Sequence, residues 1–266
     1  MMIKMKIIMT FDGTQKLIGR GAQADVFLYQ GFAYKVYKPS YPAEWIAFEK
    51  HQQGEINKAG LCPVRYYDTD DAHVIKMDFV DGEMLESKIN RCVQENLAGK
   101  TDITFGSLPE GAYQIIEGYK LLARAFKFVH NDKIKDLEIP HLRDTAAIGM
   151  DAEDSGKILP LIERLSGKMK ECVCHLDMHF LNIMLPAAEP ISEKSEYTII
   201  DWMNARIAPP VFDYARTYVI LGEFSADALE AYRQIVMPDV WASGVSDSDF
   251  ADAVSVCEVI RKYEKK

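Results

Sequence analysis

Between Cys174 and Asp201 the sequence sets polar side chains at fixed offsets. His175, Asp177, His179 and Asn182 form H-x-D-x-H-x-x-N, and Asp201 follows Asn182 by nineteen positions, after the run Tyr197-Thr198-Ile199-Ile200. A carboxylate that can orient a hydroxyl, an amide five residues on and a second carboxylate leaving a strand are the parts that phosphoryl transfer uses. Such a reaction gains mainly from positioning and from stabilising charge, so hard oxygen ligands for Mg²⁺ matter more than a covalent nucleophile. Asn182 and Asp201 would supply them. Any one of these residues alone reads as a turn or cap; the spaced set carries the chemistry.

A different metal could be read from the same stretch. Cys172, Cys174, His175 and His179 fall within eight residues, and all are zinc ligands by type. No second ligand pair with structural-zinc spacing occurs elsewhere, and Cys172 and Cys174 are more simply small core residues on an alternating strand.

These groups need a scaffold. Residues 1–9, with charge before a short apolar run, read as a first strand. Residues 26–29 and 32–37 are β-rich runs joined by Gln30-Gly31, a tight hairpin turn. A helix is expected over 43–59, ended by Gly60, then strands over 64–67 and 73–77 around the polar turn Asp68-Thr69-Asp70-Asp71. Beyond Asp81-Gly82 the pattern turns helical, over 84–97, 111–129, 157–170 and again after Pro210. Segments 171–186 and 197–202, extended or irregular, hold the polar chemistry. The expected fold class is α+β, with a small β-rich lobe over 1–80 carrying one helix and a larger, mainly helical lobe over 81–266.

Composition narrows the partners. Hydrophobic residues at 48% and charged residues at 27% suit a globular chain. A net charge of −9 offers no broad basic surface for nucleic acid. Five scattered cysteines read as reduced thiols and a cytoplasmic protein. No apolar run approaches the roughly 18 residues of a membrane span, and the amino-terminal run is too short for a signal peptide. Oligomeric state has no signature in the sequence.

The stretch 174–202 resembles the aminoglycoside phosphotransferase and choline kinase branch of the protein kinase-like superfamily, whose loop reads H-x-D-x-H-x-x-N and whose metal motif reads I-D-W. The resemblance implies a two-lobed kinase-like fold, with ATP as co-substrate (GTP not excluded) and Mg²⁺ as cofactor. It further implies Asp177 as base, Asn182 and Asp201 as Mg²⁺ ligands, and His175 as support for the loop, with His179 beside it. Asp213-Tyr214-Ala215-Arg216-Thr217 resembles the family's D-x-A-R-T, which gives Asp213 a bracing role.

Towards the amino terminus, Gly19-Arg20-Gly21-Ala22-Gln23-Ala24-Asp25-Val26 resembles the kinase glycine-rich loop, with Ala24 at the third glycine. Small residues there let backbone amides approach phosphates. Ala33-Tyr34-Lys35 resembles the A-x-K that places an alanine by the adenine and a lysine on the phosphates. Lys38 is a rival, on the opposite face of the strand and directly before Pro39. Glu44, Glu49 and Glu55 compete to partner the lysine. At about 100° per residue, Glu49 falls within about 40° of a face marked by Trp45 and Ile56, and the other two roughly 80 to 100° away. A solvated glutamate on a surface helix is the plain alternative. Met77-Asp78-Phe79-Val80 resembles the strand-to-hinge segment, with adenine bonding to backbone groups near Asp78 to Val80.

The resemblance covers about 17–221. Only eleven residues lie between Asp201 and Asp213, and Trp202-Met203 stand where protein kinases have Phe-Gly. That is too short for a segment that docks a polypeptide, which favours a small-molecule hydroxyl over an atypical protein kinase. A silent nucleotide-binding or scaffold protein of the same fold is the alternative outside enzymes.

Overall fold

A computed structural model describes residues 11–99, 108–130, 134 and 136–264. The expected strand over 1–9 lies outside them. The chain divides into two compact units, Met1–Asp81 and Gly82–Lys266.

Among the described residues the first unit is an antiparallel five-stranded sheet with one helix. Strands β1 (Lys16–Arg20), β2 (Ala24–Tyr29), β3 (Phe32–Tyr37), β4 (Tyr66–Tyr67) and β5 (Val74–Asp78) lie in the order β1-β2-β3-β5-β4. Gln30 and Gly31 both take positive φ, 48° and 79°, the turn whose twist matches a two-residue hairpin. Helix α1 (Ala43–Lys58) packs Ile46 into a cluster with Ala24, Tyr37 and Ile75, and full burial of an isoleucine is worth about 1.5–3 kcal/mol. Ala24 is thus a core residue. The helix ends in a Schellman motif: Gly60 takes φ 70°, its N–H donates to Asn57 O, and Leu61 N–H donates to Ile56 O.

Two expectations are corrected in this unit. The inward face of α1 runs through Ile46, Glu49, Gln53 and Ile56, whereas Trp45 is 45% exposed. The strand expected over 64–67 shrinks to Tyr66–Tyr67, because Val64 O accepts from the Gln53 and Asn57 amides instead.

Among the described residues the second unit is mainly helical, with two small sheets. Strands β6 (Glu83–Met84), β8 (Ile183–Leu185) and β9 (Thr198–Ile199) form one, in the order β6-β8-β9; β7 (Cys172–Cys174) and β10 (Arg206–Ala208) form the other. Around them stand α2 (Leu85–Leu97), α3 (Tyr113–Val129), α4 (Leu142–Thr145), α5 (Ala152–Lys168), α6 (Pro210–Phe224), α7 (Ala226–Ile235), α8 (Met237–Ala242) and α9 (Asp247–Glu264). Val211 to Thr217 of α6 are all buried, as expected of a helix at the centre of a unit. Gly82 is required by close approach: a Cβ there would lie 2.5 Å from Leu185 O.

The helix expected over 157–170 begins five residues earlier. Asp151 caps it by accepting from Asp154 N–H at 2.9 Å, and the interior Pro160, which removes one ladder bond, hides the true start from a pattern reading. Among the described residues no helix is long and apolar enough to cross a membrane.

Candidate active site

In the second unit the polar set of the sequence converges on one loop, 175–182, between β7 and β8. Asn182 ends a 3₁₀ turn, Phe180–Asn182, at the foot of β8. Strand β9 pairs with β8 through Ile183 and Ile199, so the residues that follow β9 run beside Asn182. Ile200 locks the join: its N–H donates to Asn182 O at 3.0 Å, and its carbonyl accepts from His175 Nε2 at 3.0 Å. Asp201 follows directly, exposed and with φ 62°. A non-glycine residue held left-handed costs about 1–3 kcal/mol, which the bonds on Ile200 offset.

Asp177 is held from several sides. The Asn182 side-chain amide donates to Asp177 O at 2.8 Å and to Oδ2 at 3.1 Å, and His179 Nε2 stands 3.5 Å from Oδ1. Burial pushes the Asp177 carboxyl up, and the hydrogen bond from His179, with the charge of Arg216, pulls it down further, to about 2. With its amide nitrogen committed to Asp177, Asn182 has Oδ1 left as a ligand atom.

The histidines serve the loop. His175 is fully buried, packs with its ring tilted 54° against Trp202 at 4.6 Å between centroids, and accepts Asp177 N–H on Nδ1 at 3.2 Å. Its Nε2 therefore carries the proton given to Ile200 O. His179 Nδ1 accepts from Leu181 N–H at 3.3 Å, so its Nε2–H faces Asp177. The four zinc-type residues of the sequence are thus parted: both histidines turn to Asp177, and both cysteines turn into the core.

Asp213, fully buried on α6, accepts from His175 N–H at 2.9 Å and Leu176 N–H at 2.8 Å, and pairs with His130 Nε2 at 2.9 Å. Leu176 is itself left-handed, φ 56°, which points two successive N–H groups at one carboxylate. Thr217, one turn on, donates to Met178 O at 2.6 Å. His130, Leu176, Ile200 and Thr217 were not singled out in the sequence. Thr217 and Ile200 had a signal, their places in D-x-A-R-T and I-D-W; the pairing of His130 with Asp213 spans 83 residues and leaves no local pattern.

In the first unit, Lys35 Nζ lies 2.7 Å from Glu49 Oε1, the lysine 20% and the glutamate 2% exposed. Tyr37 OH donates to Glu49 Oε2. The other two glutamates drop out: Glu44 is exposed, and Glu55, though buried, pairs with Lys58. Lys38 Nζ reaches Ala22 O at 2.5 Å, back onto the glycine-rich turn. Gly19 faces Val26 across the β1–β2 pair, and Gly21 N–H closes the turn onto Ala24 O at 2.8 Å. Ala33 and Met77 are register partners on β3 and β5. Asp78 is tied down: its N–H donates to Arg65 O, and its carboxylate accepts from Arg65 N–H and Tyr67 OH. Val80 is half-buried just beyond.

A family model described as "Phosphotransferase enzyme family" matches residues 14–243. The chain belongs to that family. No curated protein matches it in sequence. Among solved structures, an aminoglycoside-3'-phosphotransferase of type VIII is similar over 92% of this chain and 93% of its own, at 16% identity and a TM-score of 0.58. Aminoglycoside phosphotransferase APH(3'')-Id from Streptomyces rimosus, in complex with ADP and streptomycin, is similar over 94% of each chain at 13% identity and a TM-score of 0.55. A choline/ethanolamine kinase family protein from Mesorhizobium loti covers 94% of this chain and 77% of its own at 14% identity, with a TM-score of 0.54. At such identities the likeness shows the fold, and the fold is protein kinase-like. The family makes this chain a phosphotransferase of the kinase type.

Proposed function

We propose that the protein moves the γ-phosphate of ATP to a hydroxyl group of a small molecule, with Asp177 as base. The observation that carries this reading is the pair of hydrogen bonds from the Asn182 amide to Asp177, which holds a carboxylate and an amide oxygen together in one loop. Asn182 Oδ1 and the Asp201 carboxylate are hard oxygen donors, a fitting pair for Mg²⁺, which keeps most of its waters and takes one or two protein ligands. When bound, the ion supplies charge neutralisation at the phosphates.

Asp177, held near 2, is ionised throughout the neutral range. Such a weak base orients the acceptor hydroxyl first and takes its proton late, once the bond to phosphorus is forming and the hydroxyl has become acidic. In the amino-terminal unit Lys35, aimed by Glu49, is assigned to the nucleotide phosphates; the Gly21 N–H is spent on Ala24 O, so the small residues of the turn are assigned to letting the same anion approach the remaining backbone amides. Because Asp78 N–H is spent on Arg65 O, the base-contacting backbone is assigned to the stretch ending at Val80, beside Ala33 and Met77.

The path between Asp201 and Asp213 supports a small acceptor. It is filled by a 3₁₀ turn, Trp202–Asn204, by β10 and by the start of α6, so it holds no free segment for a polypeptide substrate. Similar structures bind ADP with streptomycin, or GDP with kanamycin, which makes aminoglycosides, choline-like alcohols and sugars the panel to try, with ATP and GTP as donors. Mg²⁺-dependent nucleotide turnover stimulated by one panel member is the expected result. MgATP binding without turnover on any acceptor, unchanged in Asp177→Ala, would instead mark a silent nucleotide-binding protein.

A further inference from the structure

Behind the 175–182 loop lies a polar cluster that the phosphotransfer reading leaves unused. A ring nitrogen of His130 and the sulfurs of Cys172 and Cys174 all lie within 4.8 Å of one another. Residues two apart on a strand share a face, so β7 turns both thiols the same way and sets Sγ 3.9 Å from Sγ. The Ala208 carbonyl on the paired strand β10 lies 3.7 and 3.4 Å from the two sulfurs. His130 closes α3, its side chain 7% exposed; Nε2 is spent on Asp213, while Nδ1, buried, has no hydrogen-bond partner among the described residues. An orphaned buried acceptor costs about 1–3 kcal/mol and calls for an explanation.

We propose that His130 Nδ1, Cys172 Sγ, Cys174 Sγ and the Ala208 carbonyl oxygen form a buried structural Zn²⁺ site at the root of the loop. The spacings fit the ion. With Zn–S near 2.3 Å, tetrahedral to trigonal geometry sets the sulfurs about 3.8 to 4.0 Å apart, and a carbonyl oxygen near 2.1 Å lies roughly 3.6 Å from each. The histidine has the orientation that zinc sites use, one nitrogen on the metal and the other donating to a carboxylate. Two thiolates cancel the charge of the ion, so the buried cluster becomes neutral; copper(I), with one charge, would leave it anionic. Binding one Zn²⁺ replaces two S–H bonds with two Zn–S bonds and releases two protons to solvent, so affinity rises with pH. Because Asp213 holds His130 on one side and the N–H groups of His175 and Leu176 on the other, the site would tether the loop to α3 and β7.

The test uses the full-length protein, stripped with a chelator and titrated with Zn²⁺ against a chromophoric competitor. About one ion per chain and about two protons released per ion are expected. Cys172→Ser and Cys174→Ser should each weaken binding by roughly tenfold or more, while the triple variant Cys62→Ser, Cys92→Ser, Cys257→Ser retains it. Should the β7 variants fail to fold, Co²⁺ in the unmodified protein decides: thiolate-to-cobalt charge transfer with intense tetrahedral bands supports the site. Absence of charge transfer, zinc retained without both cysteines, or uptake of copper(I) but not zinc would overturn it. None of these readouts depends on the protein transferring phosphate.

Discussion

The side-chain amide of Asn182 donates to both the main-chain carbonyl and the Oδ2 of Asp177, at 2.8 and 3.1 Å. This pair sets the distance between the proposed base and the proposed metal ligand without help from any bound molecule. Replacing the amide by a carboxylate in Asn182→Asp keeps an oxygen ligand, but Asp177 loses a donor and gains a like charge, which raises its pKa. The acid limb of kcat/KM should move up in this variant relative to the parent protein. A limb that stays put would separate Asn182 from Asp177 function.

In the parent protein the Asp177 carboxyl is held below its ordinary value of 3.8, at about 2. A depressed carboxyl contributes stability that is fully present above the unfolded value and lost as pH falls through the folded one. Between pH 5 and pH 2 the parent should lose on the order of 2 kcal/mol that Asp177→Asn does not lose, at about 1.4 kcal/mol per pH unit. Urea unfolding of both proteins at pH 5 and pH 3 checks the onset. Equal losses would contradict the assignment.

Asp213 takes two N–H bonds from the loop and one from His130. Its removal in Asp213→Ala leaves three buried donors unpaired, and a cost of at least about 3 kcal/mol follows. Asp213→Asn keeps a carbonyl for one or two of them and should cost less, with kcat falling more than the KM for nucleotide changes. Equal stability of the two variants by chemical unfolding would show that the carboxylate does not brace the loop.

Lys35 and Glu49 form a largely buried pair. Lys35→Met strands the glutamate and should lower stability by about 1–3 kcal/mol, the exposure of the lysine reducing the usual penalty. The double variant Lys35→Met, Glu49→Leu should recover most of that stability and none of the nucleotide affinity. Recovery of both would remove Lys35 from the phosphate-binding role.

Gly82→Ala puts a Cβ 2.5 Å from Leu185 O. Since the obstacle is backbone, a loss of about 1–3 kcal/mol is expected, read as a lowered thermal midpoint. An unchanged midpoint would mean that β6 and β8 part easily.

Much of this arrangement was legible in the sequence because its signals are local. The hairpin at Gln30-Gly31, the alternation of β7 and the five-residue spacing of Asp177 and Asn182 are all properties of short stretches. Glu49 does face Lys35, although Trp45, one of the two residues marking that face in the sequence, faces solvent. An indole on a first turn has room to lie on the surface, and Ile46 beside it fills the core instead. What could not be read depends on long-range packing. Nothing near His130 announces Asp213, and nothing in Leu176 announces a left-handed backbone that serves one carboxylate. Long-range packing also brings His130, the C-cap of α3, within 4.8 Å of the two thiols, which no local spacing announces.

The most direct test of the central claim is the turnover number of Asp177→Asn with saturating MgATP and a competent acceptor. The account predicts a fall of about 10² to 10⁴ in kcat with MgATP affinity unchanged. A variant that transfers phosphate at the parent rate would contradict it.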